Sequence, residues 1–208
     1  MSLLIKICGI TNADDAELAV TSGADALGFI MFQGSPRYIK YKKVEKIIRD
    51  LPEETIPVMV FVDASEEYVG SCLNISNKIV PQFHGNESPK FCSSFDRKYI
   101  KAIRVSKEED ITDGFKKYSN SWMILLDSYS TEKYGGTGEE FNWSYLSDKD
   151  YDKPYIVAGG LSFNNVEKVL SLTSCAGLDV SSGVESSPGK KDPMKMKHFI
   201  DSARRFNV

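Results

Sequence analysis

Short apolar segments rich in β-branched residues alternate along the whole chain with amphipathic segments. Such short apolar runs are typical of strands buried on both faces, as in a parallel sheet. Eight strands are predicted in this way: Leu3–Ile7, Ala26–Met31, Pro57–Val62, Ile79–Phe83, Ile100–Val105, Trp122–Leu126, Pro154–Ala158 and Ala176–Val180.

The segments between these strands have the periodicity of helices. Helices are predicted over 13–22, 44–51, 66–73, 89–95, 107–118, 164–172 and 194–206. Asn12 is the expected N-cap of the first helix, Gly23 its stop, and Asp63 the expected cap of the third. One long irregular stretch, Ser128–Phe141, is rich in Gly, Thr and Ser, and a loop of that length is usually functional or disordered.

The alternation of strand and helix gives eight βα units in 208 residues, about 26 residues each. No linker or change of composition divides the chain. We therefore expect residues 1–208 to form one domain, a (β/α)₈ TIM barrel with parallel strands and outer helices. An open, doubly wound sheet is the main alternative.

Charge and cysteine content narrow the class of protein further. The chain has 26 basic and 29 acidic residues and a net charge of −3, so no nucleic-acid partner is expected. No apolar run is long enough for a membrane span, and the N-terminus does not resemble a signal peptide. With two histidines and no CxxC pair, no metal site is expected. The four cysteines are therefore expected to be reduced thiols in a cytoplasmic protein. They are Cys8, Cys72, Cys92 and Cys175.

Polar residues follow several of the predicted strands, where a parallel barrel places its active site. Cys8 ends the first strand beside Gly9, and there a thiolate would act as base or nucleophile, its pKa lowered by cations or helix dipoles. A small buried hydrophobe is the alternative for Cys8. Asp127 ends a very apolar strand, where a carboxyl is a candidate proton donor. An N-cap or turn aspartate is the alternative for Asp127.

The last two units contain a candidate phosphate site. Gly159 and Gly160 follow the seventh strand, and Ser182 and Gly183 follow the eighth. Glycines let backbone N–H groups approach an anion closely, and these two loops form the usual phosphate site of the fold. A Gly-Gly pair alone is more often a simple turn, so the prediction depends on the two loops together.

Five segments spread over nearly the whole chain resemble the phosphoribosylanthranilate isomerase family. They are KICGITN (6–12), GADALGF (23–29) with SPRYI (35–39), LD (126–127) with YGGTG (134–138), AGGL (158–161), and LDVSSGVE (178–185) with PGKKD (188–192). The resemblance implies that Cys8 is the general base and Asp127 the general acid. It also implies that Arg37 meets the anthranilate carboxylate, that Asp179 contacts the sugar hydroxyls, and that His84 lies beside the aromatic ring.

The same resemblance implies the reaction. N-(5′-phosphoribosyl)anthranilate would undergo an Amadori rearrangement to 1-(2-carboxyphenylamino)-1-deoxyribulose 5-phosphate, with the phosphate held by Gly159, Gly160, Ser182 and Gly183. No cofactor is expected, because the substrate's own nitrogen acts as the electron sink. The partner is thus a small molecule, and the protein is expected to be a monomer or homodimer.

Two other functions fit parts of the pattern. A related phosphosugar isomerase of histidine biosynthesis would share the barrel. The resemblance to those enzymes implies two aspartates as the acid–base pair, and the cysteine at position 8 argues against that pair. A barrel that binds a phosphosugar without turnover would not need Cys8, Arg37 and Asp127 on three separate strands. The sequence also departs from the family at 31–34 and at Pro81, neither of which is the proposed acid or base.

Overall fold

Eight parallel strands form a closed barrel in the structure, a computed structural model that describes residues 3–128, 142–147, 149 and 151–206. Most of the irregular stretch Ser128–Phe141, with the YGGTG segment, lies outside the described residues. The strands are β1 (Leu4–Cys8), β2 (Ala26–Ile30), β3 (Ile56–Phe61), β4 (Val80–Phe83), β5 (Ile100–Val105), β6 (Met123–Ser128), β7 (Tyr155–Val157) and β8 (Gly177–Val180).

Helices surround the barrel, as predicted. They are α1 (Ala13–Thr21), α2 (Tyr41–Arg49), α3 (Glu66–Leu73), α4 (Pro89–Ser93), α5 (Glu108–Lys117), α6 (Val166–Leu172) and α7 (Pro193–Phe206). Asn12 caps α1 by accepting a hydrogen bond of 2.8 Å from the N–H of Asp15. Among the described residues, no helix is long and apolar enough to cross a membrane.

Closure of the sheet excludes the open, doubly wound alternative. Each strand pairs in parallel with the next, and β8 pairs back onto β1, with Lys6 opposite Asp179 and Ile7 opposite Val180. A closed barrel has no exposed sheet edge, and all its strands end at one mouth.

Side-chain alternation along the strands separates two apolar layers. Small and medium residues such as Ala26, Val58 and Ala102 fill the barrel interior, whereas larger ones such as Ile5 and Phe83 pack between strands and helices. The same alternation turns the side chains of Lys6, Gln82 and Asp127 toward the barrel axis. The interior is therefore apolar below and polar near the mouth.

The sixth unit differs from the others. In the described residues between β6 and β7, a single 3₁₀ turn at Trp143–Leu146 takes the place of an α-helix. Trp143 and Leu146 are 3% and 1% exposed, so this turn still covers the outer face of the barrel.

Two features differ from the sequence prediction. A short antiparallel hairpin, β9 (Glu185–Ser187) and β10 (Lys190–Lys191), follows β8 and was not predicted. Asp63 does not cap α3, since the Ser65 side chain accepts from the N–H of Tyr68 and performs that role. Asp63 has a φ of +46° and instead accepts a hydrogen bond of 2.6 Å from the N–H of Asn86, which joins the loops after β3 and β4.

Candidate active site

A pocket of about 740 Å³, open mouth included, lies at the C-terminal ends of the strands. The structure brings eight of the nine predicted site residues together in its lining: Cys8, Arg37, His84, Asp127, Gly159, Gly160, Asp179 and Ser182. Gly183 is not part of the lining. It lies in a 3₁₀ turn against the carbonyl oxygen of Leu161, which a Cβ at this position would overlap.

Cys8 occupies the pocket floor at the end of β1 and is 6% exposed. Burial raises the pKa of its thiol, and the positive charges of Lys6 and Lys191 offset only part of that effect, while Asp179 adds to it. The expectation of a lowered pKa is therefore wrong for the ligand-free site. The cations are present, but removal of the thiol from water is the larger effect.

Gly28 on β2 makes the space that the Cys8 sulfur occupies. The two residues are opposite each other in the register of β1 and β2. A Cβ at position 28 would lie 2.6 Å from the Cys8 Sγ, far inside van der Waals contact. Gly28 therefore allows the thiol to lie over the neighbouring strand.

Lys6 and Asp179 form a buried ion pair, in which Asp179 belongs to the pocket lining. The Lys6 Nζ lies 2.9 Å from Asp179 Oδ1, and Lys6 is fully buried. Burial opposes the charge of Lys6, but the Asp179 carboxylate and Cys8 outweigh it and raise the pKa of this ammonium group. Lys6 is therefore a cation inside the barrel, and sequence reasoning assigned it no role.

Arg37 is oriented by Glu185 of the hairpin. Its Nε donates to Glu185 Oε1 at 2.9 Å and its Nη2 to Oε2 at 2.8 Å, so the contact is bidentate. Lys191 donates to the same carboxylate at 3.0 Å and also to the carbonyl oxygens of Cys8 and Ser181. Burial opposes ionisation of Glu185, but the hydrogen bonds from Arg37 and the charge of Lys191 prevail and lower its pKa.

Asp127 ends a chain of three buried polar side chains. Its Oδ2 lies 3.1 Å from His84 Nε2, and His84 Nδ1 lies 3.0 Å from Gln82 Nε2. With the Gln82 amide nitrogen as donor, the proton of a neutral His84 ring is on Nε2 and points at Asp127. The Asp127 Oδ1 accepts a second hydrogen bond, of 2.9 Å, from the N–H of Ser128.

A second buried ion pair holds the turn that carries His84. The ammonium group of Lys101 on β5 donates to the carbonyl oxygens of Phe83 and Gly85 and to Glu87 Oε2 at 3.2 Å. Glu87 in turn accepts from the N–H groups of Asp63 and Gly85. His84 is thereby fixed on both sides, by backbone contacts and by Gln82.

The loop after β7 approaches Asp127 closely. Gly159 has a φ of +75°, and a Cβ there would lie 2.9 Å from Asp127 Oδ1. Asn165 fixes the rest of this loop, since it donates to the carbonyl oxygen of Gly160 and accepts from the N–H of Ser162. Gly159, Gly160 and Ser182 thus meet on one side of the pocket, as two-loop phosphate binding requires.

The arrangement offers a thiol, a carboxyl group and a guanidinium around one cavity, from separate strands and loops. This set suits general acid–base chemistry on an anionic ligand. Within the described ranges there is no cluster of three or more His, Cys, Asp or Glu side chains suited to a metal ion.

Sequence reasoning missed Lys6, Gln82 and Glu185 as parts of the site. Alternation along β1 and β4 was a usable signal for Lys6 and Gln82, because each lies two residues before a predicted site residue on the same face. The Pro188-Gly189 dipeptide is a turn signal for the hairpin. The bonds of Glu185 and Lys191 to the pocket, in contrast, depend on how that hairpin folds back.

Comparisons with known proteins agree with this site. Residues 5–202 match the family model of N-(5′-phosphoribosyl)anthranilate (PRA) isomerase. The chain is 42% identical over 202 residues to an N-(5′-phosphoribosyl)anthranilate isomerase of Neisseria meningitidis, covering 97% of each chain. It also resembles the crystal structure of phosphoribosyl anthranilate isomerase from Thermotoga maritima, with a TM-score of 0.91, 35% identity, and coverage of 98% of this chain and 100% of that one.

A further solved structure contains a ligand. It is a phosphoribosyl anthranilate isomerase in complex with reduced 1-(o-carboxyphenylamino)-1-deoxyribulose 5-phosphate, with a TM-score of 0.84, 33% identity, and coverage of 98% of this chain and 100% of that one. The motifs, the closed barrel and these matches over almost the full length agree. The chain belongs to the phosphoribosylanthranilate isomerase family.

Proposed function

We propose that Cys8 is the general base and Asp127 the general acid in the isomerisation of N-(5′-phosphoribosyl)anthranilate, the reaction of this family. The observation that carries the assignment is their placement in one pocket, on β1 and β6, three strands apart around the barrel. An aldose–ketose rearrangement needs a proton delivered at one substrate atom and another removed elsewhere. Two groups on different sides of the substrate meet that need.

The first chemical step is opening of the ribose ring. Asp127 donates its proton to the ring oxygen, the bond from that oxygen to C1′ breaks, and the anthranilate nitrogen becomes an iminium. As donor, the Asp127–His84 pair must hold one proton more than a carboxylate beside a neutral imidazole.

The second step is removal of the C2′ proton. The iminium withdraws electrons from C2′, so the Cys8 thiolate abstracts that proton and an enolamine forms. Tautomerisation of the enolamine gives the ketone product. Formation of a cation next to the buried thiol also favours its ionised form, which offsets the burial that opposes ionisation in the ligand-free site.

The substrate's two anionic ends are assigned to different residues of the pocket. Arg37 is assigned to the anthranilate carboxylate, and its bidentate contact with Glu185, which fixes the guanidinium plane, supports this assignment. Gly159, Gly160, Ser182 and Gly183 are assigned to the phosphate, with Gly183 acting from the turn behind the lining. Asp179 is assigned to the sugar hydroxyls and His84 to the side of the pocket that holds the aromatic ring.

The proposal also covers the cellular compartment, the need for a cofactor and the oligomeric state. Four unpaired cysteines suit a reducing compartment, and we assign the protein to the cytoplasm. No cofactor is assigned, because the substrate nitrogen supplies the electron sink. The assembly is expected to be a monomer or a homodimer, which sedimentation or light scattering would decide.

Turnover of N-(5′-phosphoribosyl)anthranilate, generated in situ and followed by the anthranilate chromophore, tests the assignment. Cys8→Ala and Asp127→Asn should each lose about 10²–10⁴-fold in kcat/KM, because each removes one general acid–base group. Cys72→Ala is the matched control. It removes another buried thiol, from α3 and outside the pocket lining, and should keep wild-type turnover.

The other outcomes are equally informative. Retention of most activity in either site variant would refute the role assigned to that residue. Absence of turnover in a folded wild-type protein would leave a barrel that binds a phosphosugar without converting it.

A further inference from the structure

Lys6 is a buried cation that takes part in neither of the two proposed proton transfers. It lies on β1 in the barrel interior, fully buried, and its ammonium group lies 2.9 Å from Asp179 Oδ1. Burial of an ammonium group is costly even with a partner, and apolar residues often fill such positions equally well. A buried cation at this position therefore calls for a function.

The position of Lys6 relative to Cys8 indicates what that function is. The two residues are separated by one position on a strand, so their side chains project from the same face toward the barrel axis. The Lys6 ammonium group bonds Asp179 Oδ1 at 2.9 Å, and its positive charge also acts on the Cys8 thiol. Lys6 thus interacts with both the carboxylate of β8 and the sulfur of β1.

Other charged groups surround Cys8, but Lys6 opposes its burial most strongly. Asp179 on β8 disfavours the thiolate, and Lys191 on the hairpin favours it more weakly than Lys6 does. Arg37 and Glu185 pair with each other beside Lys191, and His84 and Asp127 face the same pocket from β4 and β6. The pKa of Cys8 is therefore set by burial first and by Lys6 second.

We propose that Lys6 is a positioning residue that stabilises the Cys8 thiolate, as counter-charge and as hydrogen-bond donor, with Asp179 holding its ammonium group in place. The importance of this contact for catalysis rests on the role of Cys8 as general base. The contact itself is a property of the thiol without substrate. It is thus testable even if the assigned role of Cys8 fails.

Alkylation of Cys8 by iodoacetamide, followed by mass spectrometry of the Cys8 peptide, measures thiolate formation directly. Below the midpoint of titration the rate is proportional to the thiolate fraction. Lys6→Met should lower the rate at least about tenfold at every pH from 7 to 8.5 and move the midpoint upward. At sufficiently high pH the variant and wild-type rates should converge, because the thiol remains accessible.

Two controls separate loss of charge from damage to the fold. Alkylation of Cys175, a half-buried residue just before β8, is measured in the same digest. Its rate should not change in Lys6→Met. The double variant Lys6→Met/Asp179→Leu buries no unpaired charge and protects against misfolding of the single variant. It should also alkylate more slowly than wild type at Cys8, since Lys6 affects the thiol more than Asp179 does.

The result that would overturn the proposal is an unchanged pH dependence of Cys8 alkylation in folded Lys6→Met or in the double variant. Lys6 would then only join β1 to β8. A rate lowered equally at all pH values, with no convergence, would also overturn it, since that pattern indicates lost access rather than lost charge. Neither result depends on turnover, so the role of Cys8 as base stands or falls separately with Cys8→Ala.

Discussion

On the side of the mouth formed by β8, β1 and the hairpin, Cys8 lies among fixed charges. Lys6, Arg37 and Lys191 provide three cations against the two anions Asp179 and Glu185, all largely buried. On the side formed by β4 and β6, Asp127 is hydrogen-bonded to His84, which is in turn hydrogen-bonded to Gln82.

If the proposed roles hold, the two sides prepare their groups for proton transfer in different ways. The β1 side has one positive charge in excess, which favours an anion at the thiol and a carboxylate at Arg37. The β4–β6 side has hydrogen bonds that fix the orientation of His84 and direct its Nε2 at Asp127. Changes on the first side should alter substrate binding and the reactivity of the Cys8 thiol, and changes on the second should alter kcat without altering that thiol.

The largest effect is expected from removal of the guanidinium on the charged side. Arg37→Met should lower kcat/KM about 10²–10³-fold, mainly through KM, because the substrate carboxylate loses a charge-assisted bidentate partner. Arg97→Met, which removes an arginine that bonds the carbonyl oxygens of Leu73 and Ser76 outside the pocket lining, is the control. Steady-state kinetics of both variants measures kcat and KM separately and so tests this prediction. An unchanged KM in Arg37→Met would place the carboxylate elsewhere.

A smaller effect is expected on stability when the charged side loses its shared anion. Glu185→Gln should lower the free energy of unfolding by about 3 kcal/mol at pH 7, since Arg37 and Lys191 lose their common partner. Because the pKa of Glu185 is lowered in the folded state, its contribution is complete above about pH 4.3, the ordinary value. It is lost as the pH falls through the folded-state value.

Urea denaturation at several pH values measures this contribution. The difference in the free energy of unfolding between wild type and Glu185→Gln should become smaller at acidic pH. Glu108→Gln removes an exposed carboxylate paired with Lys149 and should change stability by less than about 1 kcal/mol. A difference that is independent of pH would show that the Glu185 charge does not stabilise the fold.

The smallest effect is expected at the far end of the hydrogen-bonded chain. Gln82→Met, close in shape, should lower kcat about tenfold, because His84 loses the partner of its Nδ1 and with it the orientation that directs its Nε2 at Asp127. The rate of Cys8 alkylation should not change and serves as the internal control. A changed alkylation rate would contradict the separation of the two sides.

The sequence predicted the barrel and most of the site because one simple rule links them. The alternation of strands and helices along the chain predicts a parallel barrel. The C-terminal ends of its strands meet at one mouth, so Cys8, Asp127 and Asp179 were expected to lie close together, and all three line the pocket. Glu185 and Lys191 could not be placed, since their contacts depend on the hairpin crossing back to Arg37 and Cys8. Asp63 was misassigned because two oxygen-bearing side chains compete for one cap, and Ser65 lies closer to the helix.

The lowered pKa expected for Cys8 failed for a related reason. Neighbouring cations are visible in the sequence once the fold is known, but the extent of burial is not, and burial dominates this thiol.

The kinetic isotope effect of substrate deuterated at C2′ tests the assignment of base and acid most directly. In Cys8→Ser, where the base is weakened, proton removal should become fully rate-limiting, and the isotope effect should rise above that of wild type. In Asp127→Asn, ring opening should limit the rate, and the isotope effect should approach unity. The reverse pattern, with a larger effect in Asp127→Asn, would contradict the account by exchanging the roles of the two residues.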